Sequence, residues 1–219
     1  YQNVFLYPLI ELMFENNKTK KHKQSNTLKL CFHGHYPHLS KFNPHLLAAI
    51  EELKDEIDIE LKIITGDTSF KWEIGKPNIP KIKFVKWNYE TVADEIKDCD
   101  VGIVPNITDY SPQVRSITNK DLGLYETDYC LRFKNKSNAG RCFVFHQLGI
   151  PVIADITPSN FHIMGDPKNG YLVLSKDGWK RAFRNLINAS HREEIASSAR
   201  KTFSKMYDPK VWAASLIKN

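Results

Sequence analysis

The chain has 219 residues, of which 42% are hydrophobic and 26% charged, so it can bury a sizeable core and is not disordered by composition. Its net charge is +6 and its pI is near 9.0, but the lysines are dispersed apart from a cluster between Lys18 and Lys23. No nucleic-acid-binding motif accompanies this charge, so we do not expect nucleic acid as a partner. No apolar run reaches the roughly 18 residues that cross a bilayer, and no signal peptide is visible. We therefore expect a cytoplasmic location and leave peripheral membrane contact open.

The four cysteines are widely spaced along the chain, at positions 31, 99, 130 and 142. Three of them sit in apolar runs that are typical of a protein core. We therefore interpret them as reduced, buried thiols, not as a disulfide or zinc framework.

The first 26 residues differ in character from the rest. The chain starts at Tyr1 with the apolar, strand-like run YQNVFLYPLIELMFENN, which the polar tract NKTKKHKQSN follows. Such a change in composition is typical of a domain junction. We expect residues 1–26 to be a crossing segment and linker from a missing N-terminal domain, and residues 27–219 to form one domain.

From Leu28 onward, short apolar runs alternate with helical patterns, which predicts an α/β fold with a parallel sheet and helices on both of its faces. The predicted strands are 28–34, 58–67, 81–87, 101–106, 151–155 and 170–174. Helices are predicted over 44–53, over 89–98 and after residue 138. Further helices are expected after Ser175, at a Ser190–Glu193 capping box and from Pro209. The polar stretch 107–135 has weak periodicity and is long enough to suspect a functional loop.

An anion site is predicted at the start of the third helix. Lys136, Ser137, Asn138 and Arg141 crowd its first turn, where backbone N–H groups lack intrahelical partners and the helix dipole is positive. Cations at this end oppose the dipole, so their presence suggests a bound anion such as phosphate. Ser137 and Asn138 are also expected to cap the helix. The alternative is that the charges are simply solvated surface groups.

Ligands of such sheets bind beyond the carboxyl ends of the strands, so residues at those ends are further candidates. Gly34 allows close backbone approach, and Trp87 offers an aromatic face. The alternative for Trp87 is a position in the core, and the alternative for the loop residues is a plain turn. Residues 157–160 are predicted either to line the cleft or to form a turn. The candidates at the strand ends are Gly34, His35, Thr65, Gly66, Trp87, Asn88 and Asn106.

No metal site is expected. His33, His35 and His38 lie close together in the sequence, but no carboxylate or cysteine completes a ligand set and Pro37 intervenes. The chain also lacks a Ser/His/Asp set, a CxxC pair, a Walker loop and a GxGxxG fingerprint in a convincing context. These absences argue against hydrolase, zinc, P-loop and dehydrogenase functions.

Five segments together form a recognisable series: FHGHYPHLS, IITGD, VKWNYETVADEIKDCDVGIVPN, KSNAGRCFVFHQLGIPVIA and DPKNGYLVLS. Through them the chain resembles, over residues 28–217, the nucleotide-sugar-binding, C-terminal domain of GT-B glycosyltransferases. The more specific elements are Asp100-Val101 followed by Pro105, and Lys-Ser-Asn followed by a helix and Leu-Gly-Ile-Pro-Val-Ile-Ala. The resemblance implies a Rossmann-like domain with additional C-terminal helices, and a transferase that acts in glycan or polysaccharide biosynthesis.

The resemblance also implies the partners and the roles of the site residues. The partners would be a nucleotide-sugar donor and a glycan or lipid-linked acceptor, the latter bound by the missing N-terminal domain. No cofactor or metal is implied. The expected phosphate ligands are Lys136, Ser137, Asn138, Arg141, Gly34 and His35, and the expected base and ribose contacts are Trp87, Asn88, Thr65, Gly66 and Asn106.

One motif departs from the common retaining families, which carry an E-x7-E pair at this helix. Lys136 and Val144 occupy the two glutamate positions here, and residues 136–138 form a Lys-x-Asn variant of the motif. The resemblance therefore does not imply which sugar is transferred or with which stereochemistry, and the catalytic base would belong to the missing domain. The alternative functions are a non-catalytic Rossmann-like binding or scaffold module, a sugar-nucleotide epimerase, and a phosphate-binding response module of flavodoxin-like topology.

Overall fold

The computed structural model describes residues 11–14, 16–35, 43–69, 72, 76–106 and 139–218. Within these ranges the strands are β1 Thr27–His33, β2 Asp58–Thr65, β3 Lys81–Lys86, β4 Val101–Val104, β5 Val152–Asp155 and β6 Tyr171–Val173. They form a parallel sheet in the order β3-β2-β1-β4-β5-β6. This is the strand order of a doubly wound Rossmann-type sheet, so the predicted fold class is confirmed.

The helices of the described ranges cover both faces of the sheet. They are α1 Pro44–Leu53, α2 Val92–Lys97, α3 Gly140–Leu148, α4 Pro158–Met164, α5 Lys176–Leu186, α6 Ala189–Met206 and α7 Pro209–Lys218, with a 3₁₀ turn at Pro167–Asn169. None of these helices has the length and apolar character that crossing a membrane requires.

Two helix starts differ from the sequence prediction. The helix expected over 89–98 is only Val92–Lys97, because the Asn88 side chain accepts a hydrogen bond from the Glu90 N–H (2.8 Å) and forms a turn there. The helix expected at a Ser190 capping box begins at Ala189, because Asn188 is its cap and accepts from the His191 N–H (3.0 Å). In both cases a short polar side chain bonded to the nearby backbone sets the boundary.

Successive side chains of β1 lie alternately in two hydrophobic cores, one on each face of the sheet. Leu30 and Phe32 lie in the core under α1 and α5, where Trp179 is fully buried. Cys31 lies in the opposite core with residues of α2, α3 and α6. This alternation follows from the two-residue period of a strand that is covered on both faces.

A buried cation attaches α2 to the sheet. Lys62 on β2 is 1% exposed, and its Nζ lies 2.9 Å from Glu95 Oε2 and 2.7 Å from Asp98 Oδ2. Burial opposes the charge, but the hydrogen bonds with Asp98 and Glu95 outweigh it and raise the pKa of Lys62. Lys62 is therefore a structural cation, and it contributes nothing to an anion site.

The segment that precedes β1 packs on the domain. The Phe14 N–H donates to Gln147 Oε1 (2.9 Å), and the Lys20 N–H donates to the Leu148 carbonyl oxygen (2.9 Å). Arg192 on α6, which is 1% exposed, donates to the Lys23 carbonyl oxygen (2.8 Å). The described part of the predicted linker is thus ordered against α3 and α6, while the preceding domain itself stays a prediction.

Three of the four cysteines are buried free thiols, as predicted: Cys31, Cys99 and Cys142. Cys130 lies outside the described residues. The predicted loop 107–135 also lies outside them.

We predict that Gly102→Ala destabilises the protein by about 1–3 kcal/mol, because an added Cβ would force α3 away from the sheet. That Cβ would lie 2.6 Å from two atoms of the Phe145 ring. The free energy of unfolding in urea measures the effect. Gly66→Ala is the matched control, since its Cβ would meet no atom within 4 Å and should change stability by less than about 0.5 kcal/mol. Equal stability of the two variants would contradict the prediction.

Candidate functional site

The carboxyl ends of β1 and β4 border the crevice at which the strand order of the sheet reverses. The two strands are neighbours, but the chain proceeds from β1 to β2 on one side and from β4 to β5 on the other. The loops that leave the two strands therefore diverge and open a gap between them. Ligands of doubly wound sheets bind at such a switch point, so this crevice is the candidate site.

Arg141, the second residue of α3, lies at this crevice. Its Nη2 donates to Asn106 Oδ1, just beyond β4, and its Cζ lies 5.5 Å from the centroid of the Phe32 ring on β1. Its Nη1 is buried and has no hydrogen-bond partner among the described residues. A half-buried guanidinium with an unused N–H group is well suited to an anionic ligand.

Arg141 remains a cation at neutral pH. Burial lowers the pKa of Arg141 to about 10, and the neighbouring Cys142 and Asp155 oppose this shift. The desolvated charge interacts more strongly with a bound anion than a surface charge would, because less water screens it.

Gly34 brings the backbone after β1 close to Arg141. Its φ of +138° favours glycine, and an added Cβ would lie 3.4 Å from Arg141 Cδ. The Gly34 N–H donates to the Ile64 carbonyl oxygen (3.1 Å). Gly34 and Arg141, which were predicted separately as phosphate ligands, are thus neighbours in the crevice. His35 follows on the same loop and is exposed.

The start of α3 corrects the predicted cap. The N-cap residue is Ala139, which has no side-chain acceptor, so the cap is neither Ser137 nor Asn138. A Cβ on Gly140 would lie 2.8 Å from Glu11 Cδ, so a carboxylate of the chain sits beside the positive end of the helix. Lys136, Ser137 and Asn138 lie outside the described residues, and their roles stay predictions.

The predicted base and ribose contacts occupy another part of the same edge. The Trp87 N–H donates to the Thr65 carbonyl oxygen (2.8 Å), and the Trp87 side chain is 42% exposed, so it is not a core tryptophan. Thr65 is 1% exposed, and its Oγ1 has no partner within the described ranges. Gly66 and Asn88 are exposed beside them. Thr65 ends β2, which neighbours β1, whereas Trp87 follows β3, which is two strands or about 10 Å from β1. Asn106 lies within the Arg141 crevice.

His33, at the end of β1, supports the first turn of α3. The Arg141 carbonyl oxygen accepts from His33 Nε2 at 3.3 Å, and the His33 ring packs edge-on against Phe145. Burial lowers the pKa of His33 to about 4, so the ring is neutral at physiological pH. Within the described ranges, no group of three or more histidine, cysteine, aspartate or glutamate side chains is arranged to hold a metal ion. His38 lies outside those ranges.

The sequence prediction missed two polar residues of this region, Asp155 at the end of β5 and Asn43 before α1. Both side chains are buried, at 1% and 0% exposure. A charged residue that ends the apolar run PVIAD, and an Asn directly before a helix-starting Pro, were the available signals. Residues 157–160 begin α4, and Thr157 caps that helix by accepting from the Asn160 N–H.

Comparison with known proteins gives the class of fold. No family model matches the sequence, and no curated protein matches it. The chain is similar in structure to a mutant of S. aureus TarM, solved with Fondaparinux, alpha-GlcNAc-glycerol and UDP, at 14% identity and a TM-score of 0.63. That match covers 92% of this chain and 36% of TarM, so the chain spans about a third of that protein.

Two further structures are similar over most of this chain. The C-terminal domain of LpcC, a glycosyl transferase group 1 family protein from Francisella tularensis, has 16% identity, a TM-score of 0.51, and coverage of 92% of this chain and 95% of its own. WaaG, a glycosyltransferase involved in lipopolysaccharide biosynthesis, has 15% identity, a TM-score of 0.51, and coverage of 91% and 48%. The chain thus has the fold of the C-terminal domain of GT-B glycosyltransferases, as predicted.

We predict that His33→Gln flattens the pH dependence of stability between pH 6.5 and about pH 4. The folded-state pKa of about 4 lies below the ordinary histidine pKa of 6.5, so the unfolded state takes up the proton first and stability falls as the pH decreases through this window. One such group contributes a slope of up to about 1.4 kcal/mol per pH unit. Gln keeps an N–H donor for the Arg141 carbonyl group but does not titrate.

The free energy of unfolding in urea, measured at several pH values for wild type and variant, tests this prediction. An NMR titration of the His33 ring provides the direct control, because it should show the neutral form down to about pH 4. A ring that gains its proton near pH 6.5, or parallel stability curves for the two proteins, would contradict it.

Proposed function

We propose that this chain is the donor-binding domain of a GT-B glycosyltransferase and that it binds the diphosphate of a nucleotide sugar at Arg141. The observation that carries the proposal is the guanidinium at the switch point, because Asn106 holds its Nη2 while its buried Nη1 has no partner among the described residues. The fold supports it, since one similar structure, that of TarM, was solved with UDP.

Arg141 would act on the leaving group of glycosyl transfer. Cleavage of the bond between the sugar and the diphosphate leaves additional negative charge on the nucleoside diphosphate. The Arg141 guanidinium would donate to these oxygens, and the positive end of the α3 dipole would help it stabilise the charge as it develops. Lys136, Ser137, Asn138 and His35 would complete the phosphate site. Because the protein supplies these cations and N–H groups, the proposal requires no metal or other cofactor.

Gly34 would leave room for a phosphate next to the backbone. A side chain at this position would lie against Arg141 Cδ and would enter the space in which the ligand approaches. The missing Cβ therefore serves both the left-handed backbone and the access to Arg141.

The nucleoside would extend from the diphosphate toward β3. The exposed indole of Trp87 offers a face for stacking, and the Thr65 hydroxyl group, Gly66 and Asn88 lie beside it. Asn106 would contribute differently from the prediction, because its side-chain oxygen accepts from Arg141. We therefore assign Asn106 to the phosphate part of the site.

The remaining parts of the reaction would come from the missing N-terminal domain, to which residues 1–26 would be the linker. That domain would bind the glycan or lipid-linked acceptor and provide the general base. The proposed setting is glycan or polysaccharide biosynthesis in the cytoplasm, with any membrane contact being peripheral.

We predict that Arg141→Ala weakens the binding of a nucleoside diphosphate about 10- to 100-fold, because charge-assisted hydrogen bonds contribute about 1.5–3 kcal/mol. Calorimetric titration of the 219-residue chain with UDP, GDP and ADP measures the affinity. Arg141→Lys should restore part of it, since a lysine provides the charge without the fork of N–H groups. Lys136→Ala should also weaken binding.

Arg184→Ala is the matched control, because this exposed arginine pairs with Glu56 on the outer surface of α5 (2.7 Å) and should leave the affinity unchanged. Glu11→Gln should increase the affinity, since it removes a carboxylate beside the first turn of α3. Absent binding of all three nucleotides, or equal binding by wild type and Arg141→Ala, would refute the proposal. Nucleotide binding without sugar transfer by the longer protein would favour a non-catalytic binding module.

A further inference from the structure

Asp155 joins three loops of the candidate site through one buried carboxylate. Its Oδ2 accepts from Asn43 Nδ2 and from the Asn106 N–H, both at 2.6 Å. Asn43 belongs to the connection after β1 and Asn106 to the one after β4, while Asp155 itself ends β5. Its own backbone carbonyl oxygen accepts from Asn160 Nδ2 on α4 (2.9 Å). A single side chain thus fixes the relative positions of the segments that border the crevice.

The carboxylate is connected to Arg141 through Asn106. The backbone N–H of Asn106 is held by Asp155, and its side-chain Oδ1 accepts from Arg141 Nη2. The negative charge of Asp155 also favours the charged form of Arg141. Arg141 is therefore oriented by a neutral amide whose own position depends on a buried anion.

We infer that Asp155 is a positioning residue for Arg141: through Asn106 it holds the guanidinium so that Nη1 remains directed to the ligand. This inference rests on the proposed function, in which Nη1 binds the diphosphate. Asp155 is 1% exposed and Asn106 is 5% exposed, so the connection lies beneath the crevice surface. Neither residue is required to touch the ligand for this role.

The physical basis is preorganisation. An arginine side chain has many rotamers, and a ligand that must select one of them binds less tightly than a ligand that meets a fixed group. A carboxylate forms shorter and stronger hydrogen bonds than a neutral acceptor, so it can hold the Asn106 peptide in one orientation. Its burial protects these bonds from competition by water.

A buried carboxylate with several partners can also serve stability alone, and the chain offers variants that separate the two roles. Asn43 and Asn106 each donate one hydrogen bond to the same Oδ2 atom, but among the bonds described only that of Asn106 continues to Arg141. Asn43 instead caps α1, where its Oδ1 accepts from the His45 N–H (2.8 Å). A purely structural role predicts that both partners matter equally, whereas a positioning role predicts that only Asn106 affects the ligand.

We predict that Asp155→Asn and Asn106→Ala each weaken nucleoside diphosphate binding about 10-fold, while Asn43→Ala changes it by less than about twofold. Asp155→Asn is isosteric and can keep an oxygen at the place of Oδ2, but a neutral oxygen accepts more weakly from both donors, and the negative charge near Arg141 is lost. Calorimetric titration of the 219-residue chain with UDP gives the affinities. Thermal unfolding of each variant shows how far stability is affected.

A second measurement needs no ligand. The ¹⁵Nε–¹Hε signal of Arg141 in the free protein should be sharp in wild type and in Asn43→Ala, and broadened or shifted toward the solvent-exposed position in Asp155→Asn and Asn106→Ala. If Asp155→Asn does not fold, Asp155→Glu, which keeps the charge but moves the carboxylate away from the Asn106 N–H, replaces it in both measurements.

Unchanged Arg141 signals in folded Asp155→Asn and Asn106→Ala would overturn the inference, and so would equal losses of affinity in all three variants. A change in affinity for Asn106→Ala alone would also overturn it, because that result indicates direct contact of Asn106 with the ligand. If wild type binds no nucleoside diphosphate, the proposed function fails, while the Arg141 signals still decide whether Asp155 positions the guanidinium.

Discussion

The packing of Phe145 on Gly102 is the contact on which the geometry of the site depends. Atoms of the ring lie 2.6 Å from the place of a Gly102 Cβ, so α3 approaches the backbone of β4 more closely than a side chain at position 102 would allow. Eight of the nine residues of α3 are buried, and the one that is not fully buried is Arg141. The close approach thus leaves the charge of α3 directly over the carboxyl ends of β1 and β4. A helix held further out would bring the same arginine to solvent.

The charged and polar side chains of the sheet and its helices divide into those that hold the fold and those available to a ligand. Lys62 forms ion pairs with Glu95 and Asp98 beneath α2. Burial keeps His33 neutral while its ring supports the start of α3. Arg141 differs, because one of its terminal nitrogens is held within the protein and the other has no partner among the described residues. Desolvation makes an unused donor of this kind unfavourable in isolation, which is the physical reason to look for an anion at this point.

In the proposed function, different strands of the carboxyl edge bind different parts of the nucleotide sugar. The phosphate part would lie at β1 and β4, where two diverging loops leave a gap, and the nucleoside part would lie at β2 and β3, where Trp87 is exposed. An elongated ligand can lie along this edge, because neighbouring strands are about 4.8 Å apart. Asp155 would keep the phosphate part fixed from below. The carboxyl edge would therefore be a preformed binding surface, and another domain would carry out the chemistry on the acceptor.

The sequence by itself determined the strands and most helices, because buried runs and turn residues are local signals, and it predicted the carboxyl edge of the sheet as the place of the ligand. Gly34, Arg141 and Asn106 were predicted at the ends of separate elements on that basis. Only the tertiary structure decided that these three meet, that the Asn106 side chain accepts from Arg141, and that Trp87 and Asn88 lie two strands away from β1. It also brought Asn43, Asn106 and Asp155 together, from positions 112 and 49 residues away from Asp155. Hydrogen bonds between distant loops leave no periodic pattern in a sequence, since the order of strands in the sheet, and not their order in the chain, sets which loops are neighbours.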